Sequence, residues 1–251
     1  MSRTVATPNT CIINPWDTNR ITWGDPFADG DREAFTKMGW LKNQKKSAGL
    51  DFYTLPEPYC GDINSPVYCL NMNPGAADPL FKDDLILLLL TWLTLQHSLP
   101  FVFWANPCFA NYVKIDGEGK YHSHGGCKWF ASRTKDLRIS LGDVPNLFMI
   151  EYFPYHSNHG FEFPSWLPSY AYTNELIEKA MEKGKFIVIM RQKERWFKRI
   201  PKLKNYKPLA FLEYGQGGWL SKGNVIYKSN AFNDLVAALK TENNNNNNKI
   251  K

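Results

Sequence analysis

The stretch Val67-Tyr68-Cys69-Leu70-Asn71-Met72-Asn73-Pro74-Gly75 decides the fold, because a short apolar run stops abruptly at Asn-Pro-Gly. A helix start follows at once, since Asp78 is placed as an N-cap and Pro79 suits the first helical position. The pattern over residues 80–95 is long and apolar, which is typical of a buried helix. Strand, tight loop and helix in this order form the first half of a β-α-β unit, and the loop of such a unit is the usual ligand site.

Three later segments have the length and apolar character of buried strands, and helical patterns separate them. These segments are residues 147–153, 185–190 and 208–213. Helical spacing is found in residues 31–43, 129–137, 174–183 and 196–200, and a last helix is predicted from Ser229 or Asn230. Strands that alternate with helices predict an α/β protein. We expect a three-layer α/β/α fold with a four-stranded parallel sheet, in which the loops at the carboxyl ends of the strands converge.

Composition divides the chain of 251 residues into three parts. Residues 1–30 are predicted to be an irregular extension, because proline and glycine interrupt them repeatedly. Residues 31–240 contain no evident boundary and are predicted to form a single domain. Residues 241–251 hold a run of asparagine that ends in lysine, and we predict a disordered tail because such a run buries no apolar surface.

Charge, cysteine content and hydropathy indicate the setting in which the protein works. The formal charge of +6 fits a nucleic-acid partner, although it fits many other partners too. The five cysteines are odd in number and form no Cys-x-x-Cys pair, which favours reduced thiols in the cytoplasm. Residues 1–10 lack an apolar signal segment, and residues 85–95 are shorter than the ~20 residues of a membrane helix. We predict a cytoplasmic monomer that does not bind membranes.

His122, His124 and Cys127 are the strongest candidates for a metal site. No fourth ligand lies at a suitable spacing, and zinc sites use closer pairs of cysteine and histidine. We therefore predict neither a metal nor a cofactor.

Two motifs carry a resemblance to a known family. Asn71-Met72-Asn73-Pro74-Gly75 resembles the first signature of the uracil-DNA glycosylase superfamily, and Ser221-Lys222-Gly223-Asn224 keeps the serine and asparagine of its His-Pro-Ser-Pro-x-Asn second signature. Residues 55–58 and 153–157 resemble a bacterial glycosylase-like subgroup. The order of elements is also similar, so the resemblance covers most of the chain. The chain departs from the family at the histidine, which falls at or near Trp219, so we expect the hydrogen bond of the family's imidazole to be missing at that position.

The resemblance implies catalytic roles for three residues. Asn73 would position the water that attacks the sugar, and the alternative is that Asn73 only stabilises its loop by a local hydrogen bond. Asp78 would activate water, unless it serves only as the helix N-cap. His156, on the loop after the second strand, would replace the missing imidazole, unless it is simply solvated.

The resemblance also implies contacts to the base and to the DNA backbone. Base contacts are expected from Glu151, Tyr152, Phe81 and Asn224. Phosphate contacts are expected from Ser221, Lys222, Gly75, Arg191 and Lys193. Basic and aromatic residues alternate over residues 191–207, which is typical of a phosphate-binding surface but also of a solvated helix face. A buried Glu151 that accepts from an amino group would suit cytosine better than uracil, and an ordinary charge at a strand end is the alternative.

These expectations lead to three hypotheses about function. The first is a DNA glycosylase that flips out uracil or a modified base and leaves an abasic site, in base-excision repair or, with a virus-modified cytosine as the target, in defence against phage. The second is a catalytically inactive DNA- or RNA-binding module that keeps the glycosylase fold. The third is a hydrolase or transferase of small nucleosides. An abasic product, salt-sensitive binding without product, and turnover of free nucleosides would distinguish them.

Overall fold

The computed structural model describes residues 13–16, 25–41, 49–51, 54–76, 91, 93–95, 113–115, 119–157, 163–215, 218–226 and 230–247. Its strands are β1 (Tyr59–Cys60), β2 (Val67–Asn71), β3 (Val113–Ile115), β4 (Tyr121–Ser123), β5 (Leu147–Glu151), β6 (Phe186–Ile189), β7 (Leu209–Leu212) and β8 (Val225–Ile226). Its helices are α1 (Asp31–Lys37), α2 (Gly125–Arg133), α3 (Lys135–Leu141), α4 (Tyr170–Glu182), α5 (Lys193–Arg199) and α6 (Ala231–Asn247). A 3₁₀-helix, Pro201–Asn205, follows α5.

The main sheet confirms the α/β class but differs from the prediction in its strand count. Its six strands lie in the order β1-β5-β2-β6-β7-β8. The four strands predicted from the sequence pair with one another in parallel, and the short strands β1 and β8 add antiparallel edges. The sheet is therefore six-stranded and mixed. A strand of only two residues has no detectable periodicity, which is why β1 and β8 escaped prediction.

Both faces of the sheet are covered. Side chains alternate along a strand, so Tyr68 and Leu70 of β2 enter one core while Val67 and Cys69 enter the other. The first core is rich in aromatic residues and contains buried residues of α1, α4 and α5. The second core contains buried residues of α2, α3 and α6. Each helix thus buries one stripe of apolar side chains against the sheet.

Described residues among the first 30 belong to the core. Trp16 is 1% exposed and packs edge-on against Tyr59, with ring centroids 5.9 Å apart. At the start of α1, the buried Asp31 accepts hydrogen bonds from the Tyr155 hydroxyl at 2.7 Å and from Ser169 N at 2.9 Å. The region near the amino terminus therefore fixes the loop that follows β5.

The first and last helices end at other residues than the sequence predicts. Helix α1 ends at Lys37 instead of residue 43, because Gly39 takes a φ of 69° and its backbone closes the last turn. Helix α6 continues to Asn247, so residues 241–247 are helical where a disordered tail was predicted. A helix that begins on a packed amphipathic segment adds further residues at little cost.

Several other predictions can be compared with the structure only for the residues that it describes. Of the predicted helix at residues 80–95, residues 91 and 93–95 are described and are helical. Cys60, Cys69 and Cys127 are buried thiols, as predicted, whereas Cys11 and Cys108 lie outside the described residues. Among the described residues, no helix combines the length and apolar character needed to cross a membrane.

Candidate functional site

The loops that follow β2 and β5 are joined at the carboxyl edge of the sheet. The Asn73 Nδ2 atom donates hydrogen bonds to Ser157 Oγ at 2.9 Å and to Ser157 O at 3.3 Å. Gly75, which has a φ of 85°, accepts from Ser157 N at 2.9 Å. Since an amide oxygen only accepts, and no described residue donates to Asn73 Oδ1, this oxygen is available for a water or ligand.

His156 is buried between these loops and is not a solvated side chain. Its Nδ1 atom lies 3.2 Å from Gly75 O, and because a carbonyl only accepts, Nδ1 carries the proton. Its Nε2 atom lies 3.6 Å from Glu57 Oε1 and makes no hydrogen bond within the described residues. The imidazole therefore links the β2 loop to the segment that leads into β1.

Glu151 and Asn71 face each other at the ends of β5 and β2, where they are register partners. Glu151 Oε2 and Asn71 Nδ2 are buried atoms without a well-formed hydrogen bond to any described residue. Burial raises the pKa of Glu151 from its ordinary 4.5 to about 8, and the negative charge of Glu57 adds to this rise. Asn71 and the positive charge of Arg191 offset part of the rise. At neutral pH the carboxyl group is therefore mostly neutral, and it can both donate and accept a hydrogen bond.

We call Glu57, Asn71, Glu151 and His156 the strand-end cluster. Three of its buried polar atoms, one each on Asn71, Glu151 and His156, make no well-formed hydrogen bond in the described part of the chain, although the Asn71 side chain lies close enough to the Glu151 carboxyl group to lower its pKa. An unsatisfied buried polar atom costs about 1–3 kcal/mol. A ligand that offers alternating donors and acceptors would recover part of this cost, as would ordered water. The cluster thus offers polar atoms that a ligand or ordered water could contact.

Tyr152 does not belong to this cluster, and its predicted contact with a base needs correction. Its side chain is 6% exposed, and its ring centroid lies 5.1 Å from that of Trp196 and 5.6 Å from that of Tyr170. The Arg199 guanidinium lies 4.7 Å from the Tyr152 ring centroid. The ring lies in the same aromatic-rich core as Phe148 and Ile150, which precede it at the two-residue period of a strand.

Asn224 also differs from the prediction, because its side chain stabilises the loop between β7 and β8. The residue is 4% exposed. Its Oδ1 atom accepts from Tyr214 N at 2.7 Å, and its Nδ2 atom donates to Trp219 O at 2.9 Å and to Tyr214 O at 3.4 Å. The amide is therefore occupied by the backbone. Ser221 O accepts from Asn224 N and Val225 N, while Lys222 is exposed in the same turn.

Replacing Asn224 with alanine should lower the free energy of unfolding by about 2 kcal/mol, because three hydrogen bonds are lost and buried backbone groups remain unsatisfied. Chemical denaturation of N224A and wild type would measure the difference. Asn205, which is exposed in the 3₁₀-helix, provides the matched control N205A. Equal stability of N224A and N205A would show that the loop does not depend on this amide.

The basic residues after β6 do not form one continuous surface. Arg191 and Lys193 are exposed near the sheet edge; Arg191 Nε donates to Gly215 O at 2.9 Å, and Lys193 Nζ lies 4.3 Å from the Phe211 ring centroid. Arg199 instead is enclosed by aromatic rings and donates to Tyr152 O at 2.7 Å. Burial lowers the pKa of Arg199 to about 10. Only some of the basic residues at positions 191–207 are therefore placed to contact a phosphate.

Some predicted residues contribute nothing to the site as described. Asp78 and Phe81 lie outside the described residues. His124 Nδ1 accepts from Gly126 N at 3.0 Å and caps α2, which is a structural role. Among the described side chains, no group of three or more metal-ligating residues is found.

A cavity of about 290 Å³ lies at the opposite edge of the sheet, near the amino ends of β6 and β7. Its lining residues are Phe186, Lys207, Pro208, Leu209, Ala231 and Asp234. It contains none of the predicted site residues, so its volume does not bear on the strand-end cluster.

Sequence reasoning missed Ser157, Glu57, Asn71 and Arg133. Asn71 carried a usable signal, since a polar residue ends an otherwise apolar strand and faces Glu151 on the neighbouring strand. Arg133 had no detectable signal in the sequence, because its contact with Trp219 joins segments that are distant along the chain.

Comparison with family models, with curated proteins and with solved structures found no match to this chain. A functional assignment therefore depends on the geometry at the sheet edge and on the motif resemblance.

Proposed function

We propose that this protein is a DNA glycosylase with a uracil-DNA glycosylase-like fold, which hydrolyses the N-glycosidic bond of a flipped-out uracil or modified base. The observation that carries the proposal is the placement of Asn73. Ser157 holds its amide nitrogen, its Oδ1 accepts from no described residue, and the strand-end cluster begins at Asn71, two residues earlier. An oriented acceptor beside unsatisfied polar groups suits a water and a base held side by side.

The proposed reaction assigns separate tasks to Asn73 and Glu151. The Asn73 Oδ1 atom accepts a hydrogen bond from water and directs the water oxygen toward C1′ of the sugar. As the new C–O bond forms, the N-glycosidic bond breaks and its electron pair leaves with the base. The attacking water releases one proton to bulk solvent, and the departing base takes up one proton from solvent, so the reaction is a net hydrolysis. The neutral carboxyl group of Glu151 donates a hydrogen bond to the base and stabilises the developing negative charge. This donor would replace the imidazole that the chain lacks at Trp219.

The chemistry of Glu151 limits the bases that fit. A neutral carboxyl group donates from its O–H and accepts at its carbonyl oxygen, so it pairs with an edge that has an acceptor beside a donor. Cytosine offers N3 and its amino group, and uracil offers O4 and N3–H. An ionised carboxylate would accept only and would favour the amino group of cytosine. The substrate assay must therefore include both bases.

A strand-cleavage assay tests the proposal. Labelled DNA with uracil, mismatched thymine or a modified cytosine is incubated with the protein and then treated with hot alkali, which cleaves abasic sites. We expect cleavage at one of these bases by the wild type and none by N73A. The absence of cleavage on every substrate would contradict the proposal.

The second candidate is a nucleic-acid-binding module without catalytic activity. Two observations favour it: tryptophan occupies the place of the family histidine, and the backbone occupies the amide of Asn224. This candidate predicts salt-dependent DNA binding without any abasic product.

A further inference from the structure

Two large aromatic side chains are exposed in the loop between β7 and β8. Tyr214 is 65% exposed and Trp219 is 49% exposed. The side chain of Asn224 makes hydrogen bonds to the backbone of both residues, since Oδ1 accepts from Tyr214 N and Nδ2 donates to Trp219 O. A single buried amide therefore fixes the spacing between two aromatic residues on the surface. Exposed aromatic residues whose backbone is held by hydrogen bonds are typical of binding surfaces, because they provide contact area at a low cost in conformational entropy.

Arg133, the last residue of α2, lies beside these rings. Its guanidinium carbon is 5.4 Å from the Trp219 ring centroid, and its backbone oxygen accepts from Leu220 N at 2.9 Å. Gly218, with a φ of 62°, allows this approach, because a β-carbon there would lie 3.3 Å from Arg133 Nε. Arg133 Nε is buried and makes no hydrogen bond with any described residue. The loop thus packs the Trp219 ring against the guanidinium group of Arg133.

Arg191 brings a second positive charge to the same loop. Its Nε atom donates to Gly215 O at 2.9 Å. Burial, and after it the positive charge of Arg191, lower the pKa of Arg133. A bound anion would offset the unfavourable effect of one positive charge on the other. We call Tyr214, Trp219, Arg133 and Arg191 the aromatic–arginine surface.

We propose that the aromatic–arginine surface binds an unpaired strand of nucleic acid, with bases stacked on Trp219 and Tyr214 and a phosphate held by Arg133 and Arg191. The inference rests on the proposed function, because it names single-stranded DNA as the substrate class of the same sheet edge. Stacking on an aromatic ring requires a free base face, which an unpaired strand offers and a duplex hides. The phosphate groups of the strand provide an anion that the two guanidinium groups can bind.

The test is a fluorescence-anisotropy titration with the full chain. The probes are a labelled single strand of about 15 nucleotides, close to the site size of one single-strand-binding module, and the duplex of the same sequence. Neither contains uracil or a modified base. We expect the wild type to bind the single strand at least about tenfold more tightly than the duplex, and W219A to lose about tenfold of this affinity. W219F should recover most of it.

A salt series tests the arginine part of the surface. The slope of log K against log salt should fall by about 0.7 in R133Q, which corresponds to one phosphate contact on a single strand. The matched control is W166A, because Trp166 is 63% exposed and leads into α4, whose buried residues belong to the other core. W166A should bind like the wild type.

Equal affinity for the single strand and the duplex would overturn this inference, and so would equal binding by W219A and W166A. Because the probes contain no target base, a failure to release any base leaves the titration result intact and contradicts only the proposed activity. Conversely, if the protein released a base and W219A bound the single strand as tightly as the wild type, the proposed binding surface would be contradicted and the proposed glycosylase activity would be supported.

Discussion

Replacing Asn73 with alanine should lower the rate of base release by at least ~100-fold while the protein stays folded, because the water then loses its oriented acceptor. The cost in stability should be only about 1 kcal/mol, since the hydrogen bond from Asn73 to Ser157 is partly buried and lies on a loop. Single-turnover release measured by alkaline strand cleavage gives the rate, and chemical denaturation gives the stability.

Two further variants make this test specific. S157A keeps the amide but removes its hydroxyl anchor, so it should show a smaller loss of rate than N73A. N205A removes an exposed asparagine from the 3₁₀-helix and should release the base at the wild-type rate. If N73A kept the wild-type rate, the role of Asn73 would be limited to stabilising its loop by a local hydrogen bond.

Replacing Glu151 with glutamine should stabilise the protein, and increasingly so as the pH rises. A carboxyl group whose pKa is raised from 4.5 to about 8 on folding favours the native state below pH 4.5, and this contribution is lost as the pH rises through about 8. The loss amounts to about 1.4 kcal/mol for each pH unit of that interval. Glutamine keeps the shape and never ionises. The stability difference between E151Q and wild type should therefore grow by roughly 3–5 kcal/mol from pH 4.5 to pH 8.5.

Denaturant titrations of both proteins at these two pH values measure this difference, and E213Q, which removes an exposed carboxyl group, is the control. A difference between E151Q and wild type that stayed constant with pH would show that Glu151 titrates alike in the folded and unfolded chain. The proposed reaction adds a second readout. Base release by the wild type should decline above about pH 8, where Glu151 loses its proton and can no longer donate to the base.

The sequence predicted the central strands well, because few other secondary structures fit apolar runs of this length bounded by turn residues. It also predicted that residues 73 and 156 lie at one edge of the sheet, and both lie in loops that contact Gly75 and Ser157 there. This success came from topology, since parallel strands bring their carboxyl ends to the same side.

The roles of individual polar side chains were much less predictable. Asn224 matches a family motif, yet its amide is occupied by the backbone of its own loop. Arg199 looks like a surface cation in the sequence, yet it lies among Tyr152, Tyr170 and Trp196. In both cases the path of the chain decides whether a polar group faces water or backbone, and that path depends on contacts distant in sequence. Hydrophobic periodicity carries no information about such contacts.

The position of β2 in the sheet has a consequence for synthesis on the ribosome. Its two neighbours are β5 and β6, whose residues follow far later in the chain. At translation rates of about 5–20 residues per second, an apolar strand would wait on the order of several seconds for its first parallel partner. During this interval the nascent chain exposes the very segment that later presents Asn73. Chaperones that shield such segments should therefore raise the yield of active protein more than its final stability would suggest.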